Sequence, residues 1–145
     1  MTLRLAVRSV LIDQNKLLLV NAWKSKLSTL WCAPGGGVNA GESLPDNLVR
    51  EVQEETGLTI AVGQPCLVNE FHNPRKGFHQ VEVFFRCELT DGSLDENWID
   101  PGGVVSIRRW FSREEAKRAN IKPSSLTTLA WGNGLGYDSL EHIVF

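Results

Sequence analysis

Long apolar runs are missing from this 145-residue chain. No stretch approaches the roughly 20 apolar residues that cross a bilayer, so no membrane partner is expected. Met1 to Asp13 is too short, and too interrupted by Arg4 and Arg8, to read as a secretory leader. An excess of one charge is missing too. The formal net charge is −2 and the pI is near 5.9, which argues against broad binding to nucleic acid or anionic lipid. Cysteine is scarce, and Cys32, Cys66 and Cys87 have no metal-type spacing. An odd count with no leader predicts reduced core thiols and a cytoplasmic location. His72, His79 and His142 lack zinc-like spacing, no Gly-x4-Gly-Lys-Ser/Thr phosphate loop occurs, and no Ser-His-Asp signature is visible. There is no internal repeat, low-complexity tract or linker. One domain over residues 1–145 with a sizeable core is expected.

What is present is concentrated between Pro34 and Leu58. Pro34-Gly35-Gly36-Gly37 permits close backbone approach and positive φ. Such a loop can aim carbonyls at a metal or N–H groups at a phosphate. Ser43 can cap a helix with Asp46 three residues on, Pro45 suits its first turn, and Gly57 suits its left-handed stop. Within that helix, Glu51, Glu54 and Glu55 stand at i, i+3 and i+4 and share an arc of roughly 100°. Carboxylates this close repel unless a cation lies between them, and hard oxygen ligands suit Mg²⁺ or Mn²⁺. Leu48, Val49 and Val52 form the stripe that anchors the helix on a core. A Mg²⁺ held by carboxylates beside a glycine loop points to phosphate chemistry.

The spacing from Gly36 to Leu58 resembles the Nudix box, G-x5-E-x7-R-E-U-x-E-E-x-G-U, at every fixed position. It covers 23 of the 145 residues. The resemblance implies an α/β (α+β) Nudix fold, a mixed β-sheet sandwiched between α-helices with the box as loop-helix-loop. It implies a Nudix pyrophosphohydrolase that cleaves a nucleoside diphosphate linked to a group X, with Mg²⁺ or Mn²⁺ as cofactor. The implied partner is a small-molecule nucleotide; a homodimer is allowed. By position, Glu51, Glu54 and Glu55 are the catalytic and metal-binding acids, and Gly35 offers a carbonyl to the metal. Glu51 or Glu54 doubles as the base for water. Glu42 and Arg50 form a structural ion pair. The alternatives are a non-catalytic nucleotide-binding module of the same fold, or a hydrolase of a non-nucleotide diphosphate.

The rest of the chain reads as follows. Leu3–Ile12 and Lys16–Trp23 are strands of a hairpin turning at Asp13-Gln14-Asn15, and residues 30–33 are a short strand. Leu58–Val62 and Cys66–Phe71 are separate extended segments broken at Gly63 and Pro65, and residues 72–77 are a loop. Phe78–Leu89 and Val104–Phe111 are strands around a long acidic loop. Ser112-x-x-Glu115 opens a helix to about Asn120, Pro123–Trp131 is a second, and the tail from Tyr137 packs as a strand. Arg75, Lys76 and Trp98 are candidate substrate contacts. Some relatives carry a further acid just before the aromatic that Trp110 resembles, but Arg108-Arg109 stands there in this chain. Glu82, Asp95, Glu96 and Asp100 are the candidates for that extra acid.

Overall fold

The computed structural model describes residues 2–145. β1 (Thr2–Asp13) turns into β2 (Lys16–Asn21) through Gln14 and Asn15, whose φ angles are 47° and 64°. Two consecutive positive φ values match the twist of a tight hairpin. β3 (Trp31–Cys32) and β4 (Gly35–Gly37) lead into helix α1 (Leu44–Thr56). β5 (Thr59–Asn73) reaches β6 (Phe78–Asp91) through a single 3₁₀ turn at Pro74–Lys76. A long loop precedes β7 (Arg108–Phe111), and α2 (Arg113–Arg118), α3 (Ser125–Leu129) and β8 (Gly136–His142) follow.

The strands form one mixed sheet in the order β3-β2-β1-β6-β5-β8, with β4 on β1 and β7 on β2. β1 runs parallel to β6, and β8 parallel to β5. β1 and β2 pair only beside their turn, at Ile12↔Leu17 and Asp13↔Lys16. Beyond it the glycines of β4 take the place next to β1, opposite Ala6, Val7 and Arg8. This fork sets the glycine loop against the centre of the sheet.

Alternation along the strands makes two cores. Val7, Leu11, Phe85 and Cys87 face α1 and pack on Leu48 and Val52. Val10, Leu67 and Phe84 face the other way, toward Ala116 and Leu126 of α2 and α3. Leu48 and Val52 are both 0% exposed, and burying each is worth about 1.5–3 kcal/mol. That burial holds the acidic helix in place.

Three segments differ from the reading of the sequence. Gly63 and Pro65 do not break β5, because register shifts between Val62 and Leu67 absorb them as bulges. Val104–Ile107 is not strand. The Val104 and Val105 N–H groups bond the Asp100 carboxylate, and those of Ser106 and Ile107 bond Asn21 Oδ1, leaving none for a ladder. The second late helix is shorter than expected, at Ser125–Leu129. Among the described residues, no helix is long and apolar enough to cross a membrane.

Candidate active site

Helix α1 is set by local signals. Ser43 Oγ accepts from the Asp46 N–H at 3.1 Å, Pro45 lies in the first turn, and Gly57 closes the helix at φ 75°. A cap of this kind contributes about 1 kcal/mol. Gly35, with φ 154°, sits so close to β1 that a Cβ would collide with the Val7 carbonyl. A Cβ on Gly36 would collide with the Glu51 carboxylate. Glycine is therefore what lets the loop lie between the sheet and the helix acids.

Glu51, Glu54 and Glu55 all line one cavity of about 480 Å³, together with Gly35, Gly36 and Gly37. Glu55 is 8% exposed, and its Oε1 accepts from the Gly35 N–H at 2.6 Å. Burial pushes its carboxyl up to about 8, against the pull of Arg8 and of the Gly35 N–H, with Glu51 and Asp100 adding to the rise. Arg50 donates to Glu51 at 3.0 Å and lies 3.6 Å from Glu54. Its separation from Glu42 is 3.8 Å, the longest of its ion pairs. Asn47 makes the shorter link. Fully buried, it accepts from Arg50 at 2.8 Å and from the Asn39 N–H at 2.9 Å, and its amide donates to the Ser43 carbonyl at 2.7 Å. An Asn inside a helix is a poor helix former that bonds backbone readily, which is the signal that marks it in the sequence.

The facing wall comes from β1, β5 and β6. Arg8 Nε donates to Glu82 at 2.6 Å, and Arg8 Nη1 donates to the carbonyls of Ala33 (3.1 Å) and Gly35 (3.3 Å). Glu82 is 4% exposed and also accepts from Asn69 at 2.9 Å and Gln80 at 3.0 Å. It is thus fully engaged in the sheet. Arg4 donates to Gln80 and reaches over Gly37. Phe71, Phe78 and Trp23 complete the apolar lining, and Trp23 bonds the Val144 carbonyl of the tail. Cys32 lines the cavity as well, but burial pushes its thiol up to about 11, so it is no thiolate at neutral pH. Sequence reasoning missed Arg4, Arg8, Asn69 and Gln80.

Other candidates lie elsewhere. Arg75 and Lys76 sit in the exposed 3₁₀ turn, outside the cavity lining. Trp98 also lies outside it. Its indole N–H donates to the Glu54 carbonyl at 2.8 Å and its ring covers Gly57, sealing the end of α1. Asp95 and Glu96 are exposed, and Asp95 bonds the Asn97 N–H. Asp100 does line the cavity, with its carboxylate on the N–H groups of Gly102, Val104 and Val105. Arg108 donates to the Glu55 carbonyl, adding a cation at the helix C-terminus, and Arg109 pairs with Glu115. The histidines meet across three strands, His72 lying 6.2 Å from His79 and 4.8 Å from His142. Among the described residues, no three Cys, His, Asp or Glu side chains converge tightly enough to hold a metal as they stand.

A family profile described as NUDIX domain matches residues 2–132. A protein named putative ADP-ribose pyrophosphatase YjhB, from Bacillus subtilis, is 33% identical over 89 residues, 59% of this chain and 41% of that protein. Mouse diphosphoinositol polyphosphate phosphohydrolase 3-alpha is 35% identical over 103 residues, 71% of this chain and 58% of that protein. The chain therefore spans about half the length of these curated relatives. The structure of the mutator MutT protein of Bacillus halodurans superimposes with a TM-score of 0.73 at 21% identity, covering 96% of this chain and 89% of that one. At that identity the likeness speaks for the fold alone.

Proposed function

Because the chain belongs to the Nudix hydrolase family, we propose that it is a Mg²⁺-dependent pyrophosphohydrolase, with Mn²⁺ as the alternative ion. It cleaves a diphosphate linkage in a nucleoside diphosphate joined to a group X, by attack of water at phosphorus. The observation that supports this reading is the meeting of three helix acids and a glycine loop at one wall of a cavity that also carries aromatic side chains.

The donor chemistry, carboxylate and carbonyl oxygens, suits a hard divalent ion, although among the described residues no three of these acids converge on one point. Glu55 is buried beside Glu51, and its carboxyl holds its proton to about pH 8 without a cation. Glu51, Glu54 and Glu55 would hold the ion, with the Gly35 carbonyl as a further oxygen donor. When bound, the ion supplies charge neutralisation at the phosphate oxygens and a more acidic water. Glu51 or Glu54, both less buried than Glu55, takes the proton from the attacking water. Asn47 and Arg50 keep these acids in position, and Arg8 holds the Gly35 carbonyl against the sheet.

A second reading, hydrolysis of a non-nucleotide diphosphate, draws support from the name of the mouse relative. The cavity favours the nucleotide, since Trp23, Phe71 and Phe78 line it. A non-catalytic binding module is disfavoured because every box acid is retained. The test is turnover of a panel containing ADP-ribose, nucleotide sugars, dinucleoside polyphosphates and a diphosphoinositol, read by release of nucleotide or phosphate. Release from a nucleotide with Mg²⁺ and none in excess chelator is expected. Turnover of the diphosphoinositol alone, or robust turnover in chelator, overturns the reading.

A further inference from the structure

We propose that Arg4 is the phosphate-binding side chain of this cavity, gripping the part of a diphosphate that the box acids and their metal do not reach. This rests on the hydrolase reading above for the identity of the substrate, but not for the anion site itself.

The charge balance of the cavity carries the inference. Six acids line it: Glu51, Glu54, Glu55, Glu82, Asp100 and Glu141. Besides His142, three basic side chains line it: Arg4, Arg8 and Lys122. Arg8 is committed to Glu82 at 2.6 Å, and Lys122 stands 3.6 Å from Glu141. Among the described residues, Arg4 is the one lining cation without a carboxylate within ion-pair distance. A dianionic linkage entering such an acidic cavity is repelled unless cations oppose it on both sides. A metal on the helix acids offsets one side, and Arg4 is the group left for the other.

Its placement fits the role. Arg4 donates through Nη1 to Gln80, which in turn donates to Glu82 at 3.0 Å. The guanidinium is therefore oriented by the sheet while Nη2 and Nε have no hydrogen-bond partner among the described residues. Nη2 lies over the glycine loop, where a Cβ on Gly37 would come within 2.7 Å of it. The loop and the guanidinium thus share one edge of the cavity, and the planar fork is suited to two phosphate oxygens at once. Phe71 lies opposite Gln80 in the β5–β6 register, and Gln80 lies opposite Arg4 in the β1–β6 register. A ring attached to the gripped phosphate would meet Phe71 and Phe78 next.

The test uses Arg4→Gln, Arg4→Lys and Gly37→Ala in the full chain. Binding of inorganic pyrophosphate is measured by calorimetry in Mg²⁺ at low and high salt, alongside KM and kcat on whichever nucleotide the unaltered protein turns over. Arg4→Gln should weaken pyrophosphate binding and raise KM at least tenfold, with kcat falling less than KM rises. Arg4→Lys should recover part of the binding, since it keeps the charge and loses the fork. Gly37→Ala should weaken binding by displacing the guanidinium, with melting temperature little changed. Equal pyrophosphate binding by Arg4→Gln and the unaltered protein, or no binding by either, overturns the assignment. Absence of nucleotide turnover by the unaltered protein would instead sink the hydrolase reading and leave the binding comparison decisive.

Discussion

The cavity wall that carries Glu51, Glu54 and Glu55 comes from one contiguous stretch, whereas the facing wall gathers Arg4 and Arg8 from β1, Asn69 from β5, and Gln80 and Glu82 from β6. The first wall holds like charges together, and its most buried member is pushed up to about 8. The second is balanced at its centre, with Arg8 on Glu82 and two amides on the same carboxylate, and among the described residues only its Arg4 lacks a carboxylate partner. On the proposed reading, the cluster that its own surroundings leave unbalanced is the one that takes a ligand. A charge pair that its surroundings satisfy is built to hold strands in place.

That contrast breaks first at the acids. Glu54→Gln and Glu55→Gln should each lower turnover by about 10²–10⁴-fold with the fold retained, as steady-state kinetics and circular dichroism would show. Near-normal turnover in both would erase the distinction between the walls. Glu82→Ala should act the other way round. It strands the buried Arg8 charge, so denaturant melts should show a loss of about 3–5 kcal/mol.

The pH dependence sharpens the same comparison. Glu55 has its ordinary value of 4.5 in the unfolded chain and about 8 in the metal-free fold. Between those values the folded state keeps a proton that the unfolded state has lost. Stability from this group is therefore full below about pH 4.5 and falls as pH rises through about 8. Thermal melts of metal-free protein should decline across that window, and Glu55→Gln should remove the decline. A flat difference between the two proteins would refute the buried-acid account.

Smaller effects come from the scaffold. Arg50→Ala removes bonds to Asn47 and Glu51 and should cost about 1–2 kcal/mol, with a parallel drop in activity. An unchanged melting temperature would show that Asn47 alone holds the loop. Trp98→Phe keeps the cover over Gly57 but loses the bond to the Glu54 carbonyl. It should cost about 1 kcal/mol and leave KM unaltered. A large rise in KM would place Trp98 in contact with substrate after all.

What the sequence by itself determined is the wall made of neighbours. The Ser43 cap, the Gly57 stop and the shared face of Glu51, Glu54 and Glu55 follow from 3.6 residues per turn and from capping, which act within a few residues. The hairpin at Gln14-Asn15 and the α2 capping box were legible for the same reason. Only tertiary structure decided which cations face the cavity. Arg75 and Lys76 look as suitable in the sequence as Arg4 and Arg8, yet they sit in an exposed turn. Arg8 meets Glu82 across 74 positions because parallel pairing sets β1 against β6 in one particular register. No local periodicity specifies that register. It is set by which side chains the whole sheet can bury on both faces at once, and so the second wall appears only when the strands are in place.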